Sequence, residues 1–199
     1  MDIDPMDSVE DAGGKDAERS ANARLNTMVA LTVALLATFT GICQVKDDNL
    51  VQAMQQAQAD KLDDWAFYQA RNIREEVGKG VLAELRLSAP TPATQAARDS
   101  SIRAYVAFVA EQAAKKDSLK TAAEQDQQTY DALNYRDDQF DLSDALVALA
   151  ISLLALTALT HKRWLFLIAI VPTVLGVLMG LAGLLGWHIH PDSITRMLS

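Results

Sequence analysis

The chain has 199 residues, half of them hydrophobic and 22% charged, which is the average of a soluble domain; here the average blends three long apolar runs with a long polar middle. A formal net charge of -8 argues against a broad basic face for nucleic acid or anionic lipid and against acidic substrates. The single cysteine, Cys43, excludes an intrachain disulfide and a metal-thiolate cluster.

Residues 1–23 are polar, with seven acidic residues against two basic ones, and are expected to form a disordered tail. The first transmembrane helix is assigned to residues 24–46, because Met28 to Val45 contains no charged residue and is bracketed by Arg24 and Lys46. A cleaved signal sequence is disfavoured by the long acidic stretch in front and by the absence of a small-x-small site behind. Lipidation of Cys43 is disfavoured by the bulky Ile42 directly before it.

Residues 47–141 are expected to form an antiparallel, coiled-coil-like helical hairpin outside the membrane. From Leu50 to Leu87 there is no proline, and Leu62, Ala66, Ala70, Ile73, Val77, Val81 and Leu85 follow one another in steps of three or four, which makes a helical stripe. Ser88-Ala89-Pro90-Thr91-Pro92 breaks the helix, so the turn is placed near residues 88–93. A second stripe follows through Ile102, Val106, Val109, Ala113, Leu119, Ala123, Tyr130 and Leu133. Two such helices are poor in large aliphatics and bury little surface as an isolated pair, which points to packing against other copies or another protein.

The second span is assigned to residues 142–160, with Asp141 and Asp144 at the interface, where the helix N-terminus favours carboxylates. The triplet His161-Lys162-Arg163 is the turn of a transmembrane hairpin, and residues 164–187 form the third span. Trp164 and Trp187 stand at its two ends, about 35 Å apart at ~1.5 Å per residue, at the levels aromatic side chains favour. Lys162, Arg163, Arg19 and Arg24 are the topology determinants: cationic residues beside spans stay cytoplasmic. The middle region and the tail of residues 188–199 then face the other side, the periplasm of a bacterial inner-membrane protein.

Gly176-x-x-x-Gly180, followed by Gly183, allows close helix approach in the third span, and Ala148-x-x-x-Ser152 in the second is a candidate partner face. Packing inside the hairpin and dimerisation both use such spacing. Pro172 is expected to kink the third span. Adjacent carboxylates at Asp63-Asp64, Glu75-Glu76 and Asp137-Asp138 point about 100° apart on a helix and read as solvated faces rather than catalytic dyads. His188, His190 and Asp192 are too few for a metal site in a chain terminus. No catalytic residue, cofactor or metal is assigned. The spans lack ionisable residues in their centres, which counts against ion-coupled transport. A pore lined by Thr27, Thr32, Thr38 and Thr40 competes with those threonines bonding to their own helix.

Trp65, Tyr68, Arg71 and Arg74 form the densest aromatic and basic cluster of the middle region. They suit either packing within the hairpin or partner recognition, since Trp, Tyr and Arg are typical anchors. The stretch Lys61 to Arg74, with Trp65-Ala66-Phe67-Tyr68-Gln69-Ala70-Arg71 at its centre, an N-terminal span and a two-span hairpin around a basic turn ending in Arg163-Trp164, resembles an uncharacterised bacterial membrane-protein family known only as a domain of unknown function. The likeness runs from about Arg19 to Trp187 and implies the three-span architecture without an activity or ligand. The expected role is non-enzymatic: a membrane scaffold or accessory subunit that forms a homo-oligomer, and an alternative is an oligomeric pore or transport component. The expected partners are the bilayer, other copies and a larger membrane complex.

Overall fold

A computed structural model describes the backbone of residues 5–187 and the side chains of residues 19–187. His188, His190 and Asp192 lie outside the described residues. Three helices account for the described chain: α1, Pro5–Leu87; α2, Gln95–Thr160; and α3, Arg163–Leu185. Helix α1 starts inside the stretch expected to be disordered. Pro5 suits a first helical position, where a missing donor costs nothing, and no further proline interrupts the chain before Pro90. Each helix contains a window long and apolar enough to cross a membrane.

The two links are short and locally encoded. After Leu87, Thr94 Oγ1 accepts from the Thr91 amide at 3.0 Å, and the Gln95 amide donates to Thr91 O at 3.1 Å, which starts α2. Arg98 reaches back to the end of α1, donating to Leu85 O at 2.7 Å and Arg86 O at 3.0 Å, where a cation complements the exposed carbonyls. At the other link His161 takes φ 54° and its amide donates to Thr157 O, ending α2 in a left-handed residue that is uncommon for a side chain with Cβ. Lys162 is then extended and α3 begins at Arg163. Gly186, at φ 69°, closes α3, with the Trp187 amide donating to Ala182 O.

The chain divides into two compact units. One comprises Met1–Leu50 and Tyr135–Ser199, and the other Val51–Asn134. In the three-helix unit the core is Val29, Leu36, Val147, Ala150, Leu154 and Ala169. Along α1 its inward residues follow three-four spacing through Val29, Val33, Leu36, Thr40, Cys43, Asp47 and Leu50, so one narrow row of the helix faces its neighbours. Helix α2 offers two such rows, one with Phe140 and Val147 and one with Gln139, Ser143 and Ala150, because it packs on α3 as well as α1.

The hairpin unit repeats the spacing with different chemistry. Its inward row on α1 is capped by Met54 and Ala57 at one end and Leu82 and Leu85 at the other, with Lys61, Asp64, Tyr68, Arg71, Glu75 and Gly78 between. The apolar stripe read from the sequence divides. Val81 and Leu85 turn partly inward, whereas Leu62, Ala66, Ala70, Ile73 and Val77 are exposed. On α2 the expected stripe faces inward except at Val106, which is 45% exposed.

Candidate functional site

The middle of the hairpin unit is held by charge. Glu75 is 5% exposed on α1 and takes Lys116 of α2 at 2.6 Å on Oε2 and Lys79, one turn along its own helix, at 2.6 Å on Oε1. The hydrogen bond from Lys116, joined by that from Lys79, holds the Glu75 carboxyl below the usual carboxylate range. The same bond pushes the Lys116 ammonium upward. Lys116 also donates to Asn72 Oδ1 at 3.3 Å and lies 6.0 Å from the centre of the Tyr68 ring. Arg71 donates to Gln112 Oε1 at 2.9 Å, and Lys61 to Gln127. Gly78 makes room in the seam, since a Cβ there would stand 2.9 Å from Val109 Cγ2.

This network redistributes the aromatic and basic cluster. Tyr68 and Arg71 face the partner helix; Trp65 is half-buried, edge-on to Tyr68 with centroids 5.3 Å apart; Arg74 is exposed. Three members of the cluster are therefore directed toward packing, and Arg74 is left outside. Next to Arg74 is the apolar stripe, on which Leu62, Ile73 and Val77 are 61–63% exposed, with Phe67 on the flank at 60%. Gly80 continues the stripe, and a Cβ built on it meets no atom within 4 Å.

In the three-helix unit the glycines of α3 allow close contact within the chain. A Cβ on Gly176 would lie 2.9 Å from Val147 Cγ2 and 3.2 Å from Ser143 O; on Gly180, 2.6 Å from Phe39 Cζ; on Gly183, 2.9 Å from Phe140 Cζ. The face opposite Gly176 is thus Ser143, Leu146 and Val147. Ala148 and Ser152 are exposed, one residue off that row, and Ser152 Oγ donates to Ala148 O within its own helix. Polar side chains of α2 reach the backbone of α3: Ser143 Oγ donates to Gly176 O at 2.8 Å, Arg136 to Gly183 O at 2.8 Å and Gln139 to Trp187 O at 2.8 Å. Arg19, Arg24, Lys162 and Arg163, the cations expected to set the topology, are all exposed. Thr27, Thr32 and Thr38 each donate to the carbonyl four residues back, and Thr40 lines the cleft described next.

A polar cleft of about 270 Å³ in the three-helix unit, lined by Thr40, Cys43, Gln44, Asp47, Asp48, Phe140, Asp141, Ser143 and Asp144, is not among the sites expected from the sequence. A signal for it was present: Asp137, Asp141 and Asp144 share one face of α2, and Asp47 shares the inward row of α1 with Cys43 and Leu50. Asp47 Oδ1 is buried. Burial first, then the charge of Asp137 and its hydrogen-bonding carboxyl, push the Asp47 carboxyl up to about 6. Asp141 is raised as well, by burial and by Asp137, Asp138 and Asp144. Among the described residues no group of three or more His, Cys, Asp or Glu is arranged to hold a metal ion.

No curated protein and no solved structure matches the chain. The family model for a domain of unknown function, DUF4337, matches residues 25–186, a range that takes in both the charged seam of the hairpin unit and the glycine-packed helices. On that match the chain belongs to the DUF4337 family.

Proposed function

We propose that the protein is a non-enzymatic membrane scaffold that assembles from copies of itself, and that α1, α2 and α3 each cross a bilayer once. Support for the crossings comes from the small share of each apolar window that is buried within the chain: 17% in α1, 33% in α2 and 39% in α3. The remaining apolar surface needs lipid or protein around it. The exposed cations Arg19, Arg24, Lys162 and Arg163 orient the N-terminus and the α2–α3 turn toward the cytoplasm, which assigns the hairpin residues to the periplasmic side of a bacterial inner membrane.

The observation that carries the assembly is the inversion in the hairpin unit. Its inward row is charged around Glu75, while Leu62, Phe67, Ile73 and Val77 are turned outward. An isolated hairpin of this kind leaves its aliphatic side chains in water. Copies held in one membrane share an orientation, so the same stripe on each is available to the same stripe on the next. The proposed scaffold uses that stripe, with Arg74 beside it, as its contact.

Light scattering of the detergent-extracted protein, corrected for bound detergent, tests the assembly. The expected mass is a multiple of the 21.7 kDa chain, falling to one chain in Ile73→Glu/Val77→Glu while the helical circular dichroism is retained. A single-chain mass for the unaltered protein rejects the scaffold. Orientation is tested separately, by alkaline phosphatase fused at residues 88–93. The fusion is expected to be active, and an inactive fusion reverses the topology.

A further inference from the structure

The polar cleft of the three-helix unit has properties the scaffold reading does not use. Asp47 lies close to Asp137 and Asp141 on α2 and next to the exposed Asp48 on its own helix, with Asp144 near Cys43 and Asp138 near Asp141. The neighbouring cations are directed elsewhere, since Arg136 donates to Gly183 O and Lys46 is exposed. Helix α3 carries no ionisable side chain from Trp164 to Trp187. One inward carboxyl on α1 therefore meets carboxyls on α2 across a cavity whose wall holds Cys43, itself 6% exposed.

We propose that this cluster is a proton-operated latch between α1 and α2. Protonated, Asp47 hydrogen-bonds to Asp137 and the helices close over the Cys43 cavity. Ionised, Asp47 repels Asp137 and Asp141, and the seam opens to water. Two carboxyls in hydrogen-bond contact need one proton between them, and like charges so close in a partly dry cleft disfavour joint ionisation. Burial and these neighbours bring the transition to about pH 6, within the range a cell surface meets.

The lone cysteine reports the latch directly. In full-length detergent-extracted protein, the rate at which a water-soluble maleimide labels Cys43 is measured from pH 5 to pH 8 and divided by the rate in Asp47→Asn at the same pH. The ratio is expected near one at pH 5 and several-fold higher by pH 7.5. A carboxylate beside a thiol disfavours the thiolate, so electrostatics without opening drives the ratio below one. A ratio at or below one throughout, or no labelling at any pH, overturns the proposal. Asp137→Asn, which removes the proton-sharing neighbour, is expected to shift the midpoint to lower pH, and an unmoved midpoint overturns the pairing. Thermal unfolding gives a readout free of thiol chemistry: Asp47→Asn should raise Tm at pH 7.5 and leave it nearly unchanged at pH 3.5, below the free carboxyl's range, and equal shifts at both pH values overturn the latch.

Discussion

The two units use one spacing for opposite purposes. In the three-helix unit the three-four row of α1 presents Val29, Val33, Leu36 and Cys43, with the polar Thr40 and the acidic Asp47 as exceptions; in the hairpin unit the same row presents Lys61, Asp64, Tyr68, Arg71 and Glu75 between apolar ends. Helix pairing thus depends on the period, while the chemistry in the row decides what the pairing resists. An apolar, glycine-packed seam is sensitive to volume. A charged seam is sensitive to protons and to the loss of one partner, because breaking a buried pair strands a charge whereas the intact pair adds little net stability.

The sharpest way to break this contrast is volume. Gly176→Leu places a side chain where even a Cβ lies 2.9 Å from Val147 and 3.2 Å from a backbone oxygen, so the three-helix unit should lose about 3 kcal/mol or more. Gly41→Leu, with nothing within 4 Å of its Cβ, should cost nothing and add up to about 1 kcal/mol through helix propensity. Denaturant or thermal unfolding of the extracted protein measures both. If the two variants unfold alike, α3 does not pack as described.

Acid should then move the two units in opposite directions. Glu75 is more acidic in the fold than its free value of 4.5, so its contribution is intact above that pH and fades as acid protonates it. Asp47 keeps its proton up to about 6 in the fold against 3.8 when free, so the three-helix unit is most stable at or below the lower value and weakens as pH rises between the two. Hydrogen exchange from pH 3 to 7 should show amides near Glu75 deprotected at the acid end and amides near Asp47 deprotected toward neutrality. Lys116→Met should weaken the hairpin unit alone and remove part of its acid response. A common direction in both units would refute the contrast.

Smaller effects sharpen it. Gly78→Ala should destabilise the hairpin unit by about 1 kcal/mol, because its Cβ meets Val109 at 2.9 Å and Phe108 at 3.1 Å, whereas Gly80→Ala should stabilise the isolated chain by up to about 1 kcal/mol through helix propensity. The opposite signs of neighbouring glycines on one helix would be read by thermal unfolding. Smallest is Arg98→Ala, which removes the cation from the end of α1 and should cost below about 1 kcal/mol, again in Tm.

Much of this was legible in the residues themselves. Apolar run length marks the three helices long enough to cross a membrane, Pro90 and Pro92 mark the reversal between α1 and α2, and His161-Lys162 marks the second link, because each of these acts through its own few residues. Legibility fails where two faces of one helix carry the same period. Leu62, Ala66, Ala70, Ile73 and Val77 repeat as regularly as Lys61, Asp64, Tyr68, Arg71 and Glu75. Hydrophobicity alone favours the first row as the inner one; the partners on α2, above all Lys116 and Gln112, select the second.

The same limit applies to Gly176, whose neighbours are Ser143 and Val147 rather than Ala148 and Ser152: a small-residue motif states that a helix can approach closely and leaves open which row it meets. The carboxyl cleft likewise arises only when α1 lies beside α2. The sequence by itself determined where this chain is helical, where it turns and which stretches are too apolar for water, since those are sums over neighbours along the chain. Tertiary structure alone decided which row is inside, which glycine meets which wall and which carboxyls line one cleft, because each of those depends on two residues that only folding brings together.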